Sequence, residues 1–376
     1  MPVEFIGYVA GRNQSETIPG GGPAVDPDYI ATTAILHENA GFDRVLVAFH
    51  SNSPDSIVIA QHAAAATRRL GLLIAHRPGF VAPTLAARQL ATLDHITRGR
   101  VAVHIITGGS DVELQADGDN TTKARRYART AEYLDIVRRE WTAAAPFDHH
   151  GTFYRIHGAQ SQVQPYRPEG IPIYFGGVSD EAIAVAGRHA DAYALWGETY
   201  DQVAELIARV RAAAAAHGRP PPRFSLSLRP ILADTEDAAW AEAARIRGRI
   251  VALQGDAATA GAAAALDTAG ARPAADSLPT NEGSRRLQAL AARGERLDKR
   301  LWTGVAAATG GRWNSTSLVG TPDQVADAML DYHRLGITTF LIRGFDPIAD
   351  AHAYGRDLIP RVRALVAADD AARSAA

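Results

Sequence analysis

Histidine, arginine, glycine and hydroxyl side chains recur in this chain at one kind of place, the carboxyl end of a short apolar run. His50 and Ser51 close "RVLVAF", Arg77 closes "LLIAH", and His104 and Thr107 end or follow "VAVHII". Gly176, Gly177, Val178 and Ser179 follow "IPIYF", Trp196 follows "AYAL", Ser227 and Arg229 lie within "FSLSLRPIL", and Arg343 and Phe345 follow "TTFLI". An imidazole titrates near neutral pH, so His50 is a candidate general acid or base and His104 its rival. Guanidinium forks match carboxylate and oxyacid geometry, which makes Arg77, Arg229 and Arg343 a candidate anion-binding set; the competing reading of each is a salt bridge to a rim carboxylate. Gly176 and Gly177 lack a Cβ, Ser179 can cap the helical pattern after it, and the first N–H groups of that helix present a positive dipole end. That combination suits a phosphate, although a tight strand-to-helix turn needs the same residues.

The elements that must hold these groups alternate. Apolar runs predict strands over 3–9, 44–49, 72–76, 101–106, 171–175, 192–195, 224–232 and 338–342. Helical spacing predicts helices over 28–40, 55–68, 83–97, 124–143, 180–189, 200–216, 236–253, 321–335 and from 349 onward. Eight buried-type strands alternating with helices predict an α/β fold, a (β/α)8 TIM barrel, in which a ligand sits at the carboxyl ends of the strands. A doubly wound sheet would place its glycine-rich turn after the first strand, whereas here it follows the fifth. Residues 1–376 are expected to form a single barrel domain, with an excursion and short hairpin at 148–170 and a long insertion at 255–317, between strands seven and eight, as a candidate lid.

Composition narrows the function. Charged residues make up 21% and nearly cancel, at a formal net charge of −2, so neither a nucleic-acid footprint nor a polybasic membrane patch is present. With 0 cysteines there is no disulfide, thiolate nucleophile or Cys-ligated metal. The opening "MPVEFIGYVAGRNQ" does not read as a signal peptide and no segment approaches a bilayer span, so a cytoplasmic protein is expected. His149 and His150 precede Gly151 in a polar turn without a third ligand at a familiar spacing, and no metal is predicted. "KARRYART" reads as a solvated helix face, with Tyr127 placed to reach an anion above the barrel mouth. Gly-x-Ser-x-Gly, Walker and Gly-x-Gly-x-x-Gly motifs are absent, which removes support for hydrolase and nucleoside triphosphatase readings.

Several longer segments carry a family resemblance. "RPGFVAPTLAARQLATLDHITRGRVAVHIITGGSD", "ARRY", "GTFYRIHGAQ", "IPIYFGGVSDEA", "LWTGV" and "LVGTPDQVADAMLDYHRLGITTFLI" together resemble, in order over nearly the whole chain, the flavin-dependent alkanesulfonate monooxygenases of the bacterial luciferase-like superfamily. The resemblance implies a (β/α)8 barrel that takes reduced FMN from a separate NAD(P)H-dependent flavin reductase and uses O2 to oxygenate a small molecule, as a homo-oligomer, dimer or tetramer. It implies that Gly176, Gly177, Val178, Ser179 and Tyr127 hold the FMN phosphate and that Thr107 and Trp196 lie beside the flavin. Departures from the sulfonate pattern fall at Ser53, His104, Ser227, Arg229, Thr309 and Phe345. Flavin binding therefore transfers better than sulfonate chemistry, and the expected substrate is a different small, anionic or polar molecule held by Arg77, Ser227, Arg229, Arg343 and Phe345. His50 matches the catalytic histidine of bacterial luciferase. Two other readings stay open: a deazaflavin (F420)-dependent hydride transferase on the same barrel, and a flavin-binding protein without catalysis.

Overall fold

A strand covered on both faces needs consecutive apolar residues, and the eight runs expected from the sequence supply them. In the computed structural model, which describes residues 2–259, 281–312 and 315–375, they are β1 (Glu4–Tyr8), β2 (Arg44–Val47), β3 (Gly71–His76), β4 (Val101–Ile105), β5 (Ile173–Gly176), β6 (Ala192–Trp196), β7 (Arg223–Leu228) and β8 (Ile337–Ile342). Each pairs in parallel with its neighbours, and β1 closes on β8 through Phe5 opposite Phe340, giving a closed eight-stranded barrel. Every residue of β3 is buried. Ile6, Leu73, Ala102, Tyr174 and Ala192 form one buried cluster, and a larger cluster joins strand residues such as Phe5, Leu72, Val103 and Phe175 to the surrounding helices. The expected (β/α)8 barrel is thus the observed architecture.

Local chemistry sets the departures from the expected boundaries. The run 224–232 forms two strands, because Arg229 and Pro230 interrupt it and proline has no N–H for the ladder. Its second piece, Ile231–Leu232, leaves the barrel and pairs with Ser317–Gly320 in a small side sheet that continues through Leu301–Trp302 and Arg296–Leu297. The helix expected over 236–253 extends as Glu236–Thr259. A six-residue helix, Asp111–Ala116, was not expected; Ser110 caps it by accepting from the Glu113 N–H. The hairpin consists of Phe147–His150 and Arg155–Ala159. Of the candidate lid at 255–317, residues 260–280, 313 and 314 lie outside the described residues; the remainder includes the helix Glu282–Arg293, which buries Leu287 and Leu290. No helix among the described residues is long and apolar enough to cross a membrane.

Candidate active site

The end of β5 is shaped by close approach. A Cβ on Gly176 would stand 2.8 Å from the Ala194 carbonyl oxygen on β6. Gly177 has φ +128, a left-handed conformation that side chains resist, and a Cβ there would lie 2.8 Å from the Ala182 Cβ and 3.4 Å from the Tyr127 hydroxyl. The Tyr193 hydroxyl donates to the Gly177 carbonyl and so fixes the turn. Ser179 then caps the helix Asp180–His189, its Oγ accepting from the Ala182 N–H at 3.4 Å. Tyr127, on the helix Lys123–Thr142, brings its hydroxyl to the Gly177 turn, stacks edge-on against Phe175 at 6.5 Å and carries the Lys123 ammonium 6.0 Å from its ring centre. Two hydroxyls and a helix N-terminus meet here, over two glycines packed too close to Ala194 and Ala182 to carry side chains. Val178 packs against the core behind them.

Across the mouth, β2 leads into a turn in which the His50 N–H donates to Ser53 Oγ at 2.9 Å and Ser53 Oγ donates back to the His50 carbonyl at 2.9 Å. The His50 ring faces Glu113, with Nδ1 3.6 Å from Oε1. The same Oε1 accepts from Arg77 Nη2 at 2.7 Å, and the Ser51 N–H donates to it at 3.3 Å. Arg77 is buried, lies 4.9 Å from the Phe49 ring centre and 5.8 Å from that of Phe80, and so has its charge answered by Glu113 rather than by solvent. Burial pushes the Glu113 carboxyl up, but the hydrogen bonds and charges of His50 and Arg77 prevail and hold it at about 2. A carboxylate that stays ionised against Nδ1 favours the tautomer with the proton on Nδ1 and leaves Nε2 as the acceptor.

His104 on β4 is different in kind. Its ring is half-buried, Nδ1 has no hydrogen-bond partner among the described residues, and burial pushes its pKa down to about 4. It is therefore neutral near pH 7, a hydrogen-bonding group rather than a cation. Thr107 is buried just beyond, with Oγ1 3.4 Å from Thr130 Oγ1.

The rim at β7, β8 and β1 holds a second ionic cluster. Arg229 is 1% exposed; its Nη2 donates to Glu16 Oε2 at 2.8 Å and to the Gly344 carbonyl at 2.9 Å, and its guanidinium lies 3.7 Å from the Phe345 ring centre. Arg343 pairs with the other oxygen of Glu16 and lies 5.1 Å from the Tyr8 ring centre. Burial alone would raise the Glu16 carboxyl, yet the two arginines bring it down to about 2. Phe345 is buried, and its carbonyl accepts from Ser15 Oγ at 2.5 Å and Thr17 Oγ1 at 2.8 Å. Ser227 is half-buried at the end of β7, its carbonyl accepting from the Gly197 N–H at 2.9 Å. Trp196 ends β6 under the helix Glu282–Arg293, where a Cβ on Gly283 would stand 2.9 Å from the indole. That helix is tied down by Arg286, whose Nε and Nη2 clasp the buried Glu198 at 3.0 and 2.6 Å.

The described site lies on a recognised family frame. Residues 3–339 match the family model for luciferase-like monooxygenases. The chain belongs to that family. The match places the protein among the flavin-dependent monooxygenases of the luciferase-like family without selecting the sulfonate branch. Three solved structures share the fold over nearly the whole length. Riboflavin lyase (RcaE), determined with modified FMN and riboflavin, is 20% identical, with a TM-score of 0.76 and coverage of 97% of this chain and 92% of its own. EDTA monooxygenase (EmoA) from Chelativorans sp. BNC1 is 19% identical, with a TM-score of 0.75 and coverage of 97% and 94%. DmoA from Hyphomicrobium sulfonivorans is 18% identical, with a TM-score of 0.74 and coverage of 97% and 89%.

In this luciferase-like barrel, nine of the residues singled out from the sequence fall into three groups, while His104, Thr107, Trp196, Ser227 and Phe345 stand at the strand ends between them. Tyr127, Gly176, Gly177, Val178 and Ser179 converge on one cradle. His50 and Arg77 converge on Glu113, a residue the sequence reading did not select; its signal was the Ser110-x-x-Glu113 spacing of a helix start. Arg229 and Arg343 converge on Glu16, also unselected, which lies in the irregular stretch after β1 and carries no local pattern.

Proposed function

We propose that the protein is the oxygenase of a two-component system: it accepts reduced FMN from a separate NAD(P)H-dependent flavin reductase and uses O2 to oxygenate a small polar organic molecule. The observation that carries this reading is the Tyr127–Gly177–Ser179 cradle, whose hydroxyls and helix N–H groups suit a doubly charged phosphate and whose glycines let the turn pack close enough to bring them together. When bound, the reduced flavin supplies the electrons that activate dioxygen. Tyr127 and Ser179 hold the phosphate, and Thr107 and Trp196 flank the ring. His50 moves the proton at Nε2 while Glu113 holds its Nδ1 side. His104 contributes a neutral ring to the mouth.

The helix Glu282–Arg293, clasped by Arg286 to Glu198, keeps water from the Trp196 side of the mouth. Ser227, half-buried at the end of β7, faces the substrate side, while Phe345 and Arg343 wall it through the Glu16 cluster. Arg77, Arg229 and Arg343 each already face a carboxylate, so the substrate class they suit is polar rather than anionic.

The test is anaerobic titration of the protein with reduced FMN, oxidised FMN and riboflavin, followed by oxygen uptake with candidate sulfonates, sulfones, carboxylates and nitrogen heterocycles. Reduced FMN is expected to bind most tightly, and riboflavin poorly. Equal affinity for riboflavin and FMN would remove the phosphate assignment. Hydride transfer to or from a deazaflavin without oxygen uptake would replace the oxygenase reading with a reductase one.

A further inference from the structure

The hairpin Phe147–His150 and Arg155–Ala159 places chemistry on its outer face that the barrel site does not use. Strand register decides which side chains share that face. His149 stands opposite Ile156 and His150 opposite Arg155, with an irregularity between Phe147 and His149. Alternation turns His149 inward, where its Nε2 lies 3.1 Å from Glu132 Oε1. Asp148, His150 and His157 are left together on the exposed side, and one donor atom from each lies within 4.8 Å of the other two. The two imidazole ring centres are 4.9 Å apart, and His157 Nδ1 is 4.0 Å from Asp148 Oδ2. The chain shows only the His149-His150 pair; Asp148 joins from the same strand, His157 arrives across the ladder, and His149 drops out.

We propose that Asp148, His150 and His157 form a binding site for a divalent transition-metal ion of the zinc class. Two imidazoles and a carboxylate are a zinc, nickel, cobalt or copper donor set rather than a calcium or magnesium one, and three protein ligands leave a coordination position for water. The backbone beneath is already fixed. Asp148 Oδ1 accepts from the Gly158 N–H at 2.7 Å, so the carboxylate bridges the two strands, and the Asp148 carbonyl accepts from Arg139 at 2.9 Å. Glu132 accepts from the N–H groups of Thr152, Phe153 and Tyr154, which anchors the turn.

The His150 and His157 side chains are exposed and free of this frame, while Asp148 keeps Oδ1 on Gly158 and turns Oδ2 towards His157. Ligand bonds of about 2.0–2.2 Å require donor atoms roughly 3.3–3.6 Å apart in a tetrahedron, a contraction within reach of side-chain torsions. Arg155, opposite His150 on the same face, adds a positive charge that opposes a cation and sets the affinity below that of a buried site.

The experiment is isothermal titration of the untagged full-length protein with zinc chloride, paired with cobalt(II) titration followed by visible absorption. One zinc per chain and a tetrahedral cobalt band are expected. His157→Ala and Asp148→Asn should each weaken zinc by at least the roughly 10-fold that follows loss of even an outer-shell partner. His217→Ala, elsewhere on the surface, should leave it unchanged. Circular dichroism in the presence of a chelator checks that the variants are folded. No saturable zinc binding by the wild type, or unchanged stoichiometry and affinity in a folded His150→Ala/His157→Ala double variant, would overturn the proposal.

Discussion

The two sides of the barrel mouth use polar groups in opposite ways. At β5, donors are held by backbone geometry and point outward: the Tyr127 and Ser179 hydroxyls and the first turn of Asp180–His189 meet over two glycines. At β7, β8 and β1, charges are answered internally, with Glu16 shared by Arg229 and Arg343 over the Phe345 and Tyr8 rings. In the proposed function a phosphate completes the first arrangement, while the second is complete already and closes the rim. Polarity at a strand end is therefore not enough to mark a ligand contact; what separates the two is whether the chain itself supplies the counter-group.

The closed side should break hardest. Glu16→Gln leaves Arg229 buried without its counter-charge and is expected to destabilise the fold by about 3–5 kcal/mol in urea unfolding. A loss below about 1 kcal/mol would show that Glu16 is not the partner that closes this rim. Acid should separate the sides next. The pKa of His104 is lowered to about 4 in the fold, so its contribution is fully present above the ordinary histidine value and is lost as pH falls from about 6.5 towards 4, at no more than about 1.4 kcal/mol per pH unit. Glu16, held at about 2, contributes above the ordinary carboxyl value and loses that contribution only as pH falls below about 4.3 towards 2. Unfolding measured from pH 7 to 4 should therefore lose part of its slope in His104→Gln, the rest coming from His37, His76 and His189, whose pKa values burial also lowers, and keep its slope in Glu16→Gln.

Between the two sides, Glu113→Gln preserves shape but removes the charge beside His50. Turnover is expected to fall on the order of tenfold with a shifted pH profile, and flavin affinity to stay unchanged. Unaltered turnover would detach Glu113 from proton transfer. The smallest effect belongs to the open side: Ser179→Ala should weaken reduced FMN by about 1 kcal/mol, roughly fivefold, with riboflavin binding unchanged and a loss of about 1 kcal/mol of stability from the helix cap it removes.

The same contrast governs what could be read in the amino-acid sequence. Eight apolar runs and their helices are local patterns, and the cradle is a nearly contiguous stretch joined to one tyrosine, so both were legible. Glu16 finds Arg229 at a separation of 213 residues and Arg343 at 327, and nothing local specifies such a meeting. Arg77 and Glu113 are 36 apart and connect only because the short helix after β4 folds back across the strand ends. The hairpin histidines show a third case: the chain places His149 beside His150, whereas strand register places His150 beside His157 and turns His149 towards Glu132. The break of the seventh strand at Pro230 was visible in principle, since proline interrupts a ladder, but the apolar residues on either side concealed it.

Barrel closure places a demand on synthesis. Phe5 pairs with Phe340 and Ile6 with Leu341, so the first strand made must wait for nearly the last. At about 5–20 residues per second the ribosome takes roughly 20–70 s to bridge that gap. Throughout that interval the nascent sheet has two unpaired edges, templates for pairing with another chain. The joint between β1 and β8 thus sets how long each new molecule needs protection from its neighbours.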